Sequence, residues 1–273
     1  MSEYISFRGF YYFYGGIDLK KYAVISLRSL TAAAVLLALS ASAVFGAAKF
    51  VSLKANARLR RIPIYCVETE NKAVAVTFDA AWDADDTDRI LEILEKHKAK
   101  ATFFAVGDWL KKYPDRAKKI SEAGHEIGNH SDTHPAFSKL GREEITKELN
   151  KCNEKIKAIT GKDCTLARAP SGDYDNKSIE CAEALGLTMI QWSVDSLDWK
   201  NLSTAEITQR VLNQCENGSI LLFHTGVENT PKALDVILGK LRSDGYQCVT
   251  VGELIYKDDY TIDRAGKQCP NCE

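Results

Sequence analysis

From residue 72 onward the chain alternates between short apolar runs and longer stretches that carry a helical apolar stripe. The runs Ala73–Phe78, Ala101–Val106, Glu126–His130, Thr165–Ala169, Thr188–Val194, Ser219–His224 and Gln247–Val251 have strand length. Between them the pattern predicts helices over Asp86–Lys98, Asp108–Ala123, Arg142–Thr160, Asn176–Leu185, Thr204–Cys215 and Pro231–Arg242. Gly124, Gly161 and Gly186 follow three of these directly, where a helix end favours glycine. Ser203 with Glu206 three residues on is a capping-box pattern, and Pro231 suits a first helical turn. Repeated strand–helix alternation implies an α/β domain with a parallel sheet under covering helices. About seven such units within residues 72–256 suit a distorted (β/α) barrel; a doubly wound sheet is the alternative.

Upstream the pattern changes. Ser29 to Ala48 contains no charged residue, with Lys20, Lys21 and Arg28 before it and Lys49 and Lys54 after it. About 20 apolar residues suffice to cross a bilayer core. A secretory signal peptide cleaved near Ala41-Ser42-Ala43 is one reading. The long segment ahead of the run favours a retained transmembrane anchor, and no amphipathic stripe supports a buried core helix. The expected organisation is therefore a cytoplasmic segment 1–28, an anchor helix 29–48, a linker 49–71, a main domain 72–256 and a tail 257–273. In either reading everything after about residue 50 lies outside the cytoplasm. The expected location is the cell membrane, single-pass with the domain extracellular, or secretion if the segment is cleaved.

Composition narrows the classes. The formal net charge is −1 and no basic patch stands out, so nucleic acid is not an expected partner. Hydrophobic content of 45% supports a real core. All eight cysteines lie after residue 50: Cys66, Cys152, Cys164, Cys181, Cys215, Cys248, Cys269 and Cys272. Their spacing is not that of a small disulfide scaffold, and Cys152, Cys181, Cys215 and Cys248 read equally well as buried thiols. The lone Cys269-Pro270-Asn271-Cys272 has no second pair with which to build a four-cysteine zinc site.

In a barrel, reactive groups collect at the C-terminal ends of the strands. Asp79 ends the first run, and His130, Ser131, Asp132, Thr133 and His134 end the third. Arg168 and Pro170 stand at the fourth, Asp195, Asp198 and Trp199 follow the fifth, and His224 ends the sixth. One such residue alone would be a helix cap or a satisfied histidine; five strand ends in succession point to an active site. His130 and His134, four apart, can converge on one metal ion.

These blocks resemble the polysaccharide deacetylases of the NodB-homology type. Thr77-Phe78-Asp79, His130-Ser131-Asp132-Thr133-His134, Arg168-Ala169-Pro170, Asp195-Ser196-Leu197-Asp198-Trp199 and Leu222-Phe223-His224 match in order, over about residues 72–256. Ala80-Ala81-Trp82 is similar to the sporulation-associated subgroup of Gram-positive bacteria. The resemblance implies a distorted β/α barrel that removes N-acetyl groups from cell-wall glycan, with the N-acetylated glycan as partner and a divalent metal, zinc, as cofactor. It implies Asp79 as general base, Arg168 as the group that holds Asp79 ionised, His224 as general acid and Asp198 as its tuning carboxylate. His130 and His134 would be metal ligands, with Pro170, Trp199 and Leu222 at the substrate pocket. The family's second aspartate, its third metal ligand, is Ala80 here. Asp83, Asp85 or Asp86 could replace it, water could complete a two-histidine site, or the metal and much of the activity could be lost. Ser171 stands where many relatives carry an aromatic wall. A glycan-binding relative with weakened catalysis and an amidase for non-sugar amides are the competing functions.

Overall fold

The structure is a computed structural model that describes residues 60–271, together with Val35 and Ser42, which are helical. The chain divides into two units, Met1–Leu59 and Arg60–Glu273; the second is described here. The expected anchor over 29–48 falls outside the described residues except at those two positions. Among the described residues no helix is long and apolar enough to cross a membrane.

β1 is Cys66–Val67 and β2 is Ala73–Ala80, an interior strand of the large sheet that pairs with three others. Around β2 run β3 (Ala101–Ala105), β4 (Glu126–Asn129), β5 (Leu166–Ala167), β6 (Thr188–Met189), β7 (Val194–Asp195) and β8 (Ile220–His224). They lie in the order β6-β5-β4-β3-β2-β8-β7, every pair parallel. β9 (Gln247–Val249) pairs with the start of β2. The helices are α1 (Thr87–His97), α2 (Gly107–Lys112), α3 (Pro114–Glu122), α4 (Arg142–Thr160), α5 (Asn176–Ala184), α6 (Thr204–Gln214), α7 (Thr230–Ser243) and the short α8 (Val251–Leu254).

β2 is buried on both faces, as a parallel strand between helices and barrel interior must be. Its alternation sorts the two faces. Val74, Val76, Phe78 and Ala80 join Ile90 and Leu94 of α1 and Leu234 and Ile237 of α7 in the largest core cluster. Ala75 packs on the other side with Phe104, Ile190 and Ile220. Asp79 and Thr77 share that inner side by strand period, so the base candidate faces the barrel interior.

Three expectations change. The single strand expected over Thr188–Val194 is two, β6 and β7, which stand at the two ends of the strand order. Between them Gln191 N donates to Ile64 O and Ser193 N donates to Ile220 O, so the segment changes partners every two residues and the barrel is left distorted at this point. The helix expected over Asp108–Ala123 is broken at Tyr113 (φ −128°, ψ 52°), because Pro114 excludes helical geometry from the residue before it. The segments expected as linker and tail contribute a small sheet. β1 pairs with β11 (Lys267–Pro270), which pairs with β10 (Tyr260–Ile262). Buried Gln268 secures it, donating through Nε2 to Tyr256 O and accepting at Oε1 from Tyr256 N.

The helix signals hold. Ser203 caps α6 with Glu206, and Gly161 closes α4 in the left-handed conformation (φ 71°). The seven described cysteines are free thiols; Cys272 lies outside the described residues. Cys152 and Cys181 are buried, whereas Cys215 and Cys248 are half-buried against the largest cluster.

Candidate active site

Parallel register brings the two proton-transfer candidates side by side. Asp79 on β2 and His224 on β8 are direct cross-strand partners. Arg168 follows β5 and is fully buried. One guanidinium nitrogen donates to Asp79 Oδ1 (2.7 Å) and Thr77 Oγ1 (2.9 Å), the other to Gln191 O (3.0 Å). The guanidinium carbon lies 4.0 Å from the Phe104 ring centroid, a desolvated cation–π contact. Burial alone would raise the Asp79 carboxyl; the positive charges of His130, Arg168 and His224 outweigh it and hold the group below its ordinary value. His130 is itself pushed down to about 4 by burial and is uncharged at neutral pH, so Arg168 is the lasting cause. Asp79 thus stays ionised, with Oδ1 committed to Arg168 and Oδ2 turned toward His130.

His224 faces a second carboxylate. Its Nδ1 donates to Asp198 Oδ1 (2.7 Å) and its backbone N donates to Asp198 Oδ2 (2.9 Å). Thr230 Oγ1 and Trp199 N complete the shell of Asp198, which is fully buried. Burial opposes protonation of His224, but the hydrogen bond and charge of Asp198 prevail and raise its pKa. Nε2 is left to donate a proton.

The loop Ser131–His134 is shaped by α4 and by the start of α2. Ser131 and His134 both adopt positive φ (66° and 61°), a strained conformation that needs outside support. Glu148 on α4 gives it: Oε2 accepts from Asp132 N (3.0 Å) and Thr133 N (2.8 Å), and Oε1 accepts from Thr133 Oγ1 (3.1 Å). His134 N donates to Ser131 Oγ, and Asp132 turns away from the site to pair with Lys155. Gly107 N donates to Ser131 O, and a Cβ at Gly107 would collide with the Asp132 carboxylate, so only glycine admits this approach. Changing Glu148 to Ala should free this loop and lower kcat/KM by about tenfold or more while costing about 1–3 kcal/mol in urea unfolding. Glu148→Gln, which keeps two acceptor contacts, should recover most of the activity.

His130 Nδ1 bonds Arg168 O (2.9 Å), which leaves Nε2 facing Asp79 Oδ2 at 3.4 Å. The His130 and His134 rings meet edge to face with centroids 5.0 Å apart, and burial lowers both pKa values, keeping the rings neutral as metal ligands must be. The third ligand is missing. Ala80 is buried among the core side chains. Asp83 Oδ1 accepts from Ala84 N, Asp86 Oδ1 accepts from Gly226 N, and Asp85 is exposed. Among the described residues no three His, Cys, Asp or Glu side chains form a metal-holding group. The donor set does not fit a tightly bound catalytic ion, which ordinarily takes three protein ligands.

Of the expected pocket residues, Leu222 is buried two positions before His224, Pro170 is buried beyond Arg168, and Trp199 is exposed beside Asp198. Ser171 adopts φ 55° and is exposed. Sequence reasoning assigns no site role to Glu148 or to Trp82. Trp82 is 61% exposed, with its ring centroid 5.8 Å from His134 and 6.0 Å from His224. In the sequence it stands out only as an aromatic residue three positions after the base, within Ala80-Ala81-Trp82.

Fold and site together define a class: a parallel, distorted β/α barrel with a carboxylate and an imidazole opposed at its C-terminal mouth. The profile of the polysaccharide deacetylase family matches residues 67–190. The chain is 35% identical over 193 residues to the uncharacterized protein YlxY of Bacillus subtilis, covering 71% of this chain and 60% of that protein. It is 36% identical over 186 residues to a peptidoglycan-N-acetylglucosamine deacetylase of Bacillus cereus, covering 66% of this chain and 68% of that one. The crystal structure of BA3943, a CE4 family pseudoenzyme from Bacillus anthracis, superposes with a TM-score of 0.68 at 38% identity, covering 70% of this chain and 68% of that one. The chain belongs to the polysaccharide deacetylase family.

Proposed function

We propose that the chain hydrolyses the N-acetyl group of N-acetylated cell-wall glycan, peptidoglycan or N-acetylglucosamine oligomers, releasing acetate and leaving a free amine. The observation that carries this reading is the pair of opposed ion pairs on neighbouring strands, Asp79 with Arg168 and His224 with Asp198. A protein that only binds glycan has no need of a carboxylate held ionised beside an imidazole whose pKa a second carboxylate raises.

The residues divide the work as follows. Asp79 Oδ2 takes a proton from water as the oxygen attacks the acetyl carbonyl carbon. The tetrahedral intermediate collapses as His224 Nε2 gives its proton to the nitrogen, the C–N bond breaks, and acetate and amine depart. Proton transfers of this kind contribute roughly 10²–10⁴ each. Pro170, Trp199 and Leu222 bound the acetyl and sugar pocket in this reading. The segment 29–48 anchors the chain in the cell membrane with the barrel outside, where its substrate lies. The likeness of Ala80-Ala81-Trp82 to the sporulation-associated subgroup supports a role in spore-wall remodelling.

Zinc is the ion two neutral imidazoles favour, and His130 and His134 alone hold it weakly. Zinc at about 10 μM should therefore raise the melting temperature by less than about 2 °C. A site saturated a hundredfold above its Kd would add about 2.7 kcal/mol, or roughly 5–10 °C.

The missing third ligand, with the likeness to a pseudoenzyme, favours one second reading: an anchored glycan-binding protein with weakened catalysis. A substrate panel separates the alternatives. Acetate release from peptidoglycan or N-acetylglucosamine oligomers, and none from simple non-sugar acetamides, supports deacetylation of glycan. Retained glycan binding with no release supports the second reading, and release from the non-sugar amides alone would mark an amidase of another kind.

A further inference from the structure

We propose that Trp82 is the sugar-stacking platform of this site: its exposed indole face receives the apolar C–H face of a hexopyranose ring and sets the N-acetyl group between Asp79 and His224. The inference rests on the glycan reading above and adds to it the residue that holds the ring.

An indole is costly to leave in water, and an exposed tryptophan on a rigid segment calls for an explanation. Of the four tryptophans, Trp109 is buried, Trp192 is half-buried, and only Trp82 and Trp199 are exposed. Trp82 does not lie in a mobile tip. Ala81 before it packs on the largest core cluster. After it, Asp83 O accepts hydrogen bonds from Trp109 Nε1 (3.0 Å) and Thr225 Oγ1 (2.9 Å), and Asp83 Oδ1 accepts from Ala84 N. Gly226 lies so close that a Cβ there would stand 2.6 Å from Asp83 Cβ. The backbone on both sides of the indole is therefore held by buried partners, and none of those contacts uses the ring.

The ring is placed over chemistry, not over core. It leans on His134 and His224 at tilts of 59° and 38°, so it stands at the mouth through which any substrate must reach Asp79. Pyranose rings bearing equatorial substituents present an apolar C–H face, and a flat aromatic surface is the side chain that matches it. Ser171, at the position of the family's aromatic wall, offers no such surface. Trp82, directly after the first of the five sequence blocks, supplies one.

The test is calorimetric binding of an N-acetylglucosamine tetramer to the full chain carrying His224→Ala, which slows turnover by roughly 10²–10⁴. Trp82→Phe, Trp82→Leu and Trp82→Ala are compared in that background. The expected result is Phe within about threefold of the parent, and Leu and Ala each weaker by about tenfold or more, since the apolar area lost is that of an aromatic face. Leucine keeps bulk without a ring, so a loss shared by Leu and Ala but not Phe identifies stacking. Circular dichroism melting should differ little among the three. Equal affinity for all three variants overturns the role of Trp82 while the glycan reading stands. No binding by the parent overturns both.

Discussion

Replacing Asp79 with Asn, or Arg168 with Met, each destabilises the barrel by about 3–5 kcal/mol in urea unfolding, and the double replacement recovers at least about 2 kcal/mol of that loss. Arg168 is fully buried and Asp79 nearly so. Each is tolerated in the interior only because the other is there, together with Thr77 Oγ1 and Gln191 O. Asp79→Asn leaves a guanidinium without a counter-charge. Arg168→Met leaves a buried carboxylate without its guanidinium partner, so its pKa climbs. Removing both charges removes the mutual dependence, and stability returns. Activity does not return, because the carboxamide of the Asp79→Asn variant cannot accept a proton. A double-mutant cycle in urea, read beside acetate release, shows both behaviours in one set of proteins.

Replacing His224 with Ala lowers acetate release by roughly 10²–10⁴ and also costs stability, since the imidazole is buried and is the charge partner of the fully buried Asp198. Asp198→Asn is the more informative change. It is close to isosteric and its one carbonyl oxygen still accepts at one of the two positions, but it gives up an acceptor for the other pair of donors and withdraws the negative charge that raises the pKa of His224. The acid form of His224 is then lost at lower pH. In the wild type, kcat/KM should rise through the depressed pKa of Asp79, below the ordinary carboxylate value, and fall through the raised pKa of His224, above the ordinary histidine value near 6.5. In Asp198→Asn the falling limb should move downward and the rising limb stay in place. An unmoved falling limb would show that another group is the acid.

Much of this is legible in the sequence because parallel barrels write their active sites at strand ends. Asp79, His130, Arg168 and His224 each end or follow an apolar run, and parallel register brings them together without further information. Helices with strong end signals, such as Arg142–Thr160, are legible to the residue. What is illegible depends on contacts distant in sequence. β1, β10 and β11 are two to four residues long and carry no alternation; only the pairing of β11 with β1 and with β10 makes them strands. The division of Thr188–Val194 comes from Ile64, more than a hundred residues upstream. Glu148 looks like any solvated helix acid until the fold sets it under the histidine loop. The acids after Ala80 have a plausible role as replacement ligands, and the fold instead commits Asp83 and Asp86 to backbone amides.

The most direct measurement is acetate released over time from peptidoglycan by the full chain, wild type beside the double variant Asp79→Asn with Arg168→Met. Many turnovers by the wild type and none above background by the stable double variant is the expected result. No release by the wild type, or equal release by both proteins, would contradict the assignment of Asp79 as the base of a working deacetylase.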